Sequence, residues 1–217
     1  MIFDPVRAYY DDHADRWLKL RKSRSTERIQ RLLAKNLSVQ RGCAIDLGCG
    51  TGVHGEILVG QFAEVCGIDI SLNMLKSGRA YRESMDFVQA DAVRLPVKER
   101  SVDMMICTGL VEHVKNVDEL FREIFRVLKP NGLFSVSALN KSSIWNKFGS
   151  WKYPSGLRYY RFSEINDIAR AAGFRKVGLD YALWAGILSS SMPRFMDRLD
   201  SFLPFFFCYR FVAVYKK

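Results

Sequence analysis

The strongest constraint on the fold is a glycine-rich turn that follows a short apolar run. Residues 44–52 read Ala-Ile-Asp-Leu-Gly-Cys-Gly-Thr-Gly, so that three glycines alternate after an acid. This pattern predicts a buried strand that breaks into a tight turn and opens a helix from Gly52 to Val59. Because glycine lacks a Cβ atom, a ligand can lie directly against the backbone N–H groups of such a turn. The G-x-G-x-G spacing differs by one residue from the G-x-G-x-x-G of dinucleotide-binding turns.

Two further short runs also end in an acid. Glu64–Asp69 and Phe87–Asp91 are apolar segments whose last residue is an aspartate. The apolar run before the glycine turn likewise carries an aspartate, Asp46, close to its end. The carboxyl ends of parallel strands meet at one edge of a sheet, so the three carboxylates are expected around one ligand. An acid at the end of the second strand of a βαβ unit can accept both hydroxyl groups of a ribose. The three runs therefore indicate a site for a nucleoside-type ligand.

The rest of the chain continues the alternation of strands and helices. Apolar periodicity predicts two helices within residues 3–37. A third helix is predicted after Ser71, which would cap it. A further helix is predicted to start near Phe162, with Ser163 as its cap, and to end at Gly173. The other predicted elements are the strands Val102–Cys107, Leu133–Ala138, Lys176–Tyr181 and Tyr209–Tyr215 and the helix Val117–Leu128. This alternation is typical of an α/β fold.

Composition favours one domain with additions in a reducing compartment. The chain has 217 residues, 48% of them apolar, which is enough for a full core. Its five cysteines form no C-x-x-C pair, so neither a disulfide framework nor a metal site is expected. We found no signal-peptide pattern and no apolar window long enough to span a membrane, and we expect a cytoplasmic protein. The predicted organisation is an N-terminal helical cap over residues 1–40 and one domain over residues 41–217.

The net charge of +10 resides in the flanks. Residues 41–140 carry 11 lysines and arginines against 13 acids, whereas the remaining residues carry 22 against 10. A basic surface can meet nucleic acid, an anionic membrane or an acidic substrate, or it can simply be a solvated face that aids solubility. Charge alone does not choose among these.

The order and spacing of the motifs resemble class I S-adenosylmethionine-dependent methyltransferases. Within that class, the pattern is similar to the small-molecule group that includes the ubiquinone- and menaquinone-biosynthesis methyltransferases. The resemblance is carried by five segments: Ile45–Gly52, Gly67–Met74, Phe87–Pro96, Asp103–Val114 and Leu128–Val136. It implies a Rossmann-like, seven-stranded, mostly parallel sheet with helices on both faces and an antiparallel last strand. It also implies S-adenosyl-L-methionine as the cofactor.

The resemblance assigns roles to individual residues around the methyl donor. Asp46 would act on the ammonium end of the donor, Asp69 would bind the ribose hydroxyls, and Asp91 would receive the adenine amino group with the help of the Ala92 N–H. Met74 could pack on the purine ring or simply belong to the core. The full set of donor-binding candidates is Asp46, Gly48, Cys49, Gly50, Gly52, Asp69, Ile70, Met74, Asp91, Ala92 and Thr108.

His113 is the candidate general base, and Glu112 could orient it. An unperturbed imidazole titrates at about 6.5, which suits proton removal from a phenol or an acidic carbon near neutrality. The alternative is that this Glu-His pair caps or packs against the next helix. Tyr9, Tyr10 and His13 could line a substrate entrance or be plain packing residues.

Two insertions are expected to carry specificity. Residues 139–162 are rich in Trp, Tyr and basic residues, and residues 183–207 are long and apolar. Either could cover a small apolar acceptor or contact a membrane surface peripherally. The predicted reaction is methyl transfer to oxygen or carbon of an aromatic or lipid-like small molecule. The sequence does not indicate the oligomeric state.

Other classes of protein fit less well. The G-x-G-x-G spacing and Asp91 argue against a nicotinamide-dependent dehydrogenase. Enzymes that methylate nucleic-acid amino groups usually carry an N-P-P-Y-like tetrapeptide where this chain has Cys107-Thr108-Gly109-Leu110, so a nucleic-acid partner is not expected. An RNA or protein methyltransferase that uses the basic flanks, and a non-catalytic subunit that binds the donor, are the remaining alternatives.

Overall fold

A seven-stranded sheet forms the centre of the molecule. The computed structural model describes residues 5–14, 17, 24–35, 42–144, 146, 157–182 and 208–217. The strands are β1 (Cys43–Leu47), β2 (Glu64–Asp69), β3 (Asp86–Gln89), β4 (Val102–Thr108), β5 (Leu128–Leu139), β6 (Arg175–Ala182) and β7 (Arg210–Lys216). Their order is β3-β2-β1-β4-β5-β7-β6. The pairs from β3 to β5 are parallel, whereas β7 runs antiparallel to both β5 and β6. The predicted fold class is confirmed.

Helices cover both faces of this sheet. They are α1 (Pro5–Asp12), α2 (Arg24–Ala34), α3 (Leu72–Arg79), α4 (Val117–Val127) and α5 (Phe162–Ala171). Alternate residues of a strand point to opposite faces, and the core divides accordingly. Met105 belongs to the cluster that contains Phe121 of α4, whereas Ile106 belongs to the cluster that contains Leu33 of α2. The apolar stripes of the helices are thereby buried.

The segment after the glycine turn differs from the prediction. We expected a helix from Gly52 to Val59, but the only helical geometry here is a 3-10 turn at Gly55–Ile57. Most of the backbone bonds span three residues, as from the Leu58 N–H to the Gly55 carbonyl at 2.9 Å, and one spans four, from the Glu56 N–H to the Gly52 carbonyl at 3.3 Å. A Cβ on Gly55 would lie 2.5 Å from Met85, so this backbone is pressed against its neighbours. Glycine also has a low helix propensity, and the tighter turn is the result.

The start of α5 also differs, whereas the N-cap of α3 and the end of α5 are as predicted. Ser163 is not the cap of α5, because the helix begins one residue earlier, after Arg161. The Glu164 carboxylate accepts the Arg161 backbone N–H at 2.6 Å, which is the bond that closes this helix end. Ser71 caps α3 by accepting from the Met74 N–H. Gly173 adopts a φ of 103° directly after Ala172, the C-cap of α5.

The N-terminal helices pack on different parts of the sheet domain. Helix α1 contacts α3, and α2 contacts β6 and β7. The division of the chain at residue 40 stays a prediction. Of the two insertions, residues 145, 147–156 and 183–207 lie outside the described residues. Among the helices described, none has both the length and the apolar character needed to cross a membrane.

Candidate functional site

The glycine turn brings backbone N–H groups to the carboxyl edge of the sheet. It is anchored by the N–H groups of Gly48 and Cys49, which donate to the Ile68 carbonyl at 2.8 and 3.1 Å. Gly48 has a φ of +68°, and a Cβ there would lie 2.9 Å from Leu110. Gly50 and Gly52 also adopt left-handed conformations. Only glycine satisfies both the dihedral angle and the close approach at residue 48.

Asp69 lies at the end of β2 and connects this turn to the start of α3. Its Oδ2 accepts the Gly50 N–H at 2.8 Å, and its Oδ1 accepts the Ser71 N–H at 2.9 Å. Burial raises the pKa of Asp69, although these backbone bonds oppose the shift. Each carboxylate oxygen has a second acceptor position, so Asp69 can still bind two hydroxyl groups. Met74 of α3 is buried next to Gly50, and Ile70 is half-buried.

Asp46 is buried behind the turn and has an unsatisfied oxygen. Its side chain is almost inaccessible, and Oδ2 has no hydrogen-bond partner among the described residues. Burial raises the pKa of Asp46 to about 7, while a hydrogen bond from Gly55 and the charge of Arg82 oppose the shift and the charge of Asp69 adds to it. Thr108, at the end of β4, similarly buries its Oγ1 with no partner in the described part of the chain. Both groups leave capacity for a polar ligand.

Asp91 lies two residues beyond β3 and is 42% exposed. Its Oδ1 accepts the Val93 N–H at 3.1 Å, which is a turn-capping bond. Arg94 lies 3.6 Å from Oδ2, and Ala92 is half-buried beside it. Asp91 therefore caps the turn after β3, and its side chain stays accessible to a ligand amino group.

His113 lies on the loop after β4, and its ring is held by the N-terminal helix. The Tyr10 hydroxyl is 2.9 Å from Nε2 of His113, and the two rings meet edge to face with centroids 5.3 Å apart. Burial lowers the pKa of His113 below 6.5, as does the charge of Arg210, whereas the charge of Glu112 opposes the shift. The imidazole is therefore neutral near neutral pH.

Glu112 forms other bonds than the one that the sequence suggested. Its Oε1 accepts the Leu139 N–H at 2.9 Å and lies 3.1 Å from the Arg210 guanidinium. No hydrogen bond in the described part of the chain joins Glu112 to the ring of His113. That Glu112 orients His113 stays a prediction. The charge of Glu112 acts on His113 by opposing the fall in its pKa. The buried pair with Arg210 ties the loop to the start of β7.

Sequence reasoning missed how α1 reaches the site. Tyr10 contacts His113 although 103 residues separate them, and Asp11 Oδ1 accepts a bond from Ser71 Oγ at 2.6 Å. Tyr9 and His13, the other entrance candidates, pair with each other, with ring centroids 4.3 Å apart. The sequence signal was the pair Tyr10-Asp11, an aromatic residue followed by an acid on a predicted helix. This pair does not indicate that the partners are His113 and Ser71.

The carboxyl edge fits a nucleoside that is joined to an amino acid. The N–H groups of Gly48, Gly50 and Gly52 all donate within the protein, but the turn has no Cβ atoms there, so a ligand could lie against its backbone. Asp69 has further acceptor positions for ribose hydroxyls, and the orphaned Asp46 oxygen suits a buried ammonium. Residues 45–136 match the model of the methyltransferase domain family. The sheet order and this edge agree with the class I S-adenosylmethionine-dependent methyltransferases that the sequence resembles.

Three similar proteins differ in how much of this chain they match. An uncharacterized protein of Methanocaldococcus jannaschii is 28% identical over 94% of this chain and 88% of its own length. The malonyl-[acyl-carrier protein] O-methyltransferase of Methylococcus capsulatus is 30% identical, over 63% of this chain and 53% of its own. The demethylmenaquinone methyltransferase of Renibacterium salmoninarum is also 30% identical, over 62% and 58%. The chain thus spans little more than half the length of these last two relatives.

Solved structures agree on the fold. An S-adenosylmethionine-dependent methyltransferase from Thermotoga maritima superposes with a TM-score of 0.73 over 96% of this chain and 98% of its own, at 18% identity. At that identity the likeness concerns the fold alone. The predicted resemblance to the quinone-biosynthesis group is confirmed by the curated relative from Renibacterium.

Proposed function

We propose that this protein transfers a methyl group to oxygen or carbon of a small aromatic or lipid-like acceptor, with His113 as the general base. S-adenosylmethionine supplies an electrophilic methyl group when it is bound. The residues that would hold it are the glycines of the turn, Asp46, Asp69 and Asp91. Within this proposal the protein brings the two reactants into line and removes a proton from the acceptor.

The observation that carries the proposal is the bond between the Tyr10 hydroxyl and Nε2 of His113. The Tyr10 phenol lies at hydrogen-bond distance from Nε2 of a neutral imidazole, so this nitrogen can pair with a hydroxyl group. An acceptor hydroxyl would take the place of Tyr10 there. Burial keeps the pKa of His113 below 6.5, so the ring can accept a proton at neutral pH. An acceptor with an ionisable hydroxyl or an acidic carbon would use this base.

The acceptor class is supported by two independent facts. One relative acts on demethylmenaquinone, and the insertions of this chain are aromatic or apolar. The other relative acts as an O-methyltransferase on malonyl-[acyl-carrier protein], so an acyl group carried by a protein is the second candidate acceptor. We place the aromatic acceptor first because the aromatic residues of the insertions suit a planar apolar molecule better.

Calorimetry with S-adenosylhomocysteine tests the donor half of this proposal. Asp69→Ala should weaken binding strongly, because the variant lacks the carboxylate that would accept the ribose hydroxyls. Asp86→Ala is the matched control, since it removes an exposed acid from the start of β3. Binding of NADH in place of the methionine-derived ligands would overturn the identification of the donor.

Methyl transfer from labelled S-adenosylmethionine to a panel of hydroquinones, phenols and malonyl-acyl carrier protein tests the acceptor half. General-base catalysis typically contributes about 10²–10⁴-fold, so His113→Ala should lower kcat within that range. Its affinity for S-adenosylhomocysteine should change much less than kcat. Lys115→Ala removes an exposed side chain from the same loop and should behave as wild type. Unchanged turnover of His113→Ala would remove the base from the mechanism.

A further inference from the structure

Two consecutive residues of α1 contact the two halves of the site. Tyr10 reaches His113 on the loop after β4, and Asp11 reaches Ser71 at the start of α3. Successive side chains on an α-helix point in directions about 100° apart, so one helix can touch both places at once. Helix α1 therefore bridges the proposed acceptor side and the proposed donor side.

The donor side of the bridge is a continuous series of hydrogen bonds. Asp11 Oδ1 accepts from Ser71 Oγ at 2.6 Å and from the Asn73 N–H at 3.1 Å. The Ser71 N–H donates to Asp69 Oδ1 at 2.9 Å, and Asp69 Oδ2 accepts the Gly50 N–H at 2.8 Å. The series runs from α1 through the proposed ribose-binding acid to the glycine turn.

The charge of Asp11 strengthens its contact with α3. Burial alone would raise the pKa of Asp11, but hydrogen bonds from Ser71 and Asn73 and the nearby charge of Arg7 lower it. Asp11 is therefore ionised at neutral pH. A carboxylate at the N-terminus of a helix also interacts favourably with the helix dipole. Asp12, the next residue, is exposed and offers a comparison with the same charge.

The acceptor side of the bridge controls the surroundings of His113. Tyr10 of α1 touches the ring, Glu112 precedes it in the chain, and the Arg210 charge acts on it from β7. Glu112 and Arg210 are fixed by their own buried pair. Tyr10, in contrast, belongs to α1, so its hydrogen bond and ring contact with His113 depend on the position of that helix.

We propose that Asp11 is a positioning residue that docks α1 on the start of α3 and so holds Tyr10 on His113. Donor binding at Asp69 and the environment of His113 are thereby coupled. This inference rests on the proposed function, which gives Asp69 and His113 their roles. The coupling is reciprocal, because a change in one site that alters the docking of α1 alters the other by the same free energy.

NMR titration of the histidine side chains tests this coupling without any acceptor. In Asp11→Ala, α1 loses the bonds of its carboxylate to Ser71 Oγ and to the Asn73 N–H, and keeps only the bond from the Asn73 side chain to the backbone carbonyl of residue 11. The ring of His113 should then become more solvated, and its pKa should rise towards 6.5. Asp11→Asn keeps an acceptor oxygen and should restore much of the wild-type value. Asp12→Ala removes the same charge from the exposed neighbouring position and should leave the pKa of His113 unchanged.

The same spectra with S-adenosylhomocysteine complete the test. Adding it should shift the His113 resonances in the wild type and in Asp12→Ala, but not in Asp11→Ala. An unchanged His113 pKa in Asp11→Ala, or an equal shift in Asp12→Ala, would overturn the inference. If S-adenosylhomocysteine fails to bind the wild type, the donor assignment is wrong, yet the effect of Asp11→Ala on the ligand-free protein still decides whether α1 controls His113.

Discussion

Donor binding should depend on pH through Asp46. The buried carboxyl has a pKa of about 7, so in the ligand-free protein it is mostly protonated below that value. The ammonium of the donor would favour the charged carboxylate, and the proton must then leave on binding. The affinity for S-adenosylhomocysteine should therefore rise with pH until Asp46 is ionised before the ligand arrives.

The size of this effect follows from the fraction of protein in the competent form. With a pKa of about 7, the ionised fraction of Asp46 rises about thirty-fold between roughly pH 5.5 and roughly pH 8, and the apparent affinity should rise in proportion. Release of close to one proton per ligand is expected at the acid end, falling to almost none at the alkaline end.

Titration calorimetry in buffers of different ionisation enthalpy measures both quantities. Asp46→Asn cannot release a proton, so its affinity should be nearly independent of pH and weaker than that of the wild type at alkaline pH. Asp86→Asn, an exposed acid, should retain the wild-type pH dependence. A flat wild-type profile would refute the argument. A slope that survives in Asp46→Asn would assign the proton to another group, such as Asp69.

Three further predictions concern stability and the glycine turn. Gly48→Ala should lower the unfolding free energy by about 2–4 kcal/mol and abolish donor binding, because residue 48 has a left-handed backbone and a close neighbour. The control is Gly60→Ala, at a position with a φ of +80° and open space around it. It should lower the unfolding free energy by about 1 kcal/mol and bind the donor normally in calorimetry. Burial first, and then the charges of Arg210 and Arg82, lower the pKa of His54 to about 4 from 6.5, so its stabilising contribution is present above 6.5 and lost as pH falls towards 4. In urea unfolding, the wild type should therefore lose about 3 kcal/mol relative to His54→Gln over that range. Arg210→Leu should lower the unfolding free energy by about 3 kcal/mol in the same assay, because Glu112 would be left buried without its partner, and adding Glu112→Gln should recover part of the loss.

The parts of the site that are local in sequence could be predicted. The strand before Gly48, the acid at the end of β2 and the Ser71 cap each depend on residues within one short segment, and the structure has them in those places. Their chemical roles follow from the shared edge of the parallel sheet rather than from any single motif.

The remaining parts depend on contacts between distant segments. Tyr10 and His113 are 103 residues apart, and no local pattern specifies their bond. Glu112 stood beside the candidate base in the sequence, but the fold directs it to Arg210. The prediction of a helix after Gly52 was wrong for a related reason. The packing of Gly55 against Met85 is a contact between distant segments, and helix propensities do not include such contacts.

The position of β7 has a consequence for how the protein acquires its structure. Strand β7 lies between β5 and β6, which precede it in the chain, so the sheet closes by insertion rather than by addition at an edge. Until β7 arrives, β5 and β6 each expose a row of unpaired N–H and C=O groups, and such edges promote aggregation. The pairing is also of long range, with Leu139 opposite Arg210, which slows its formation. We therefore expect this insertion to be a late step, and the ion pair between Arg210 and Glu112 to form with it.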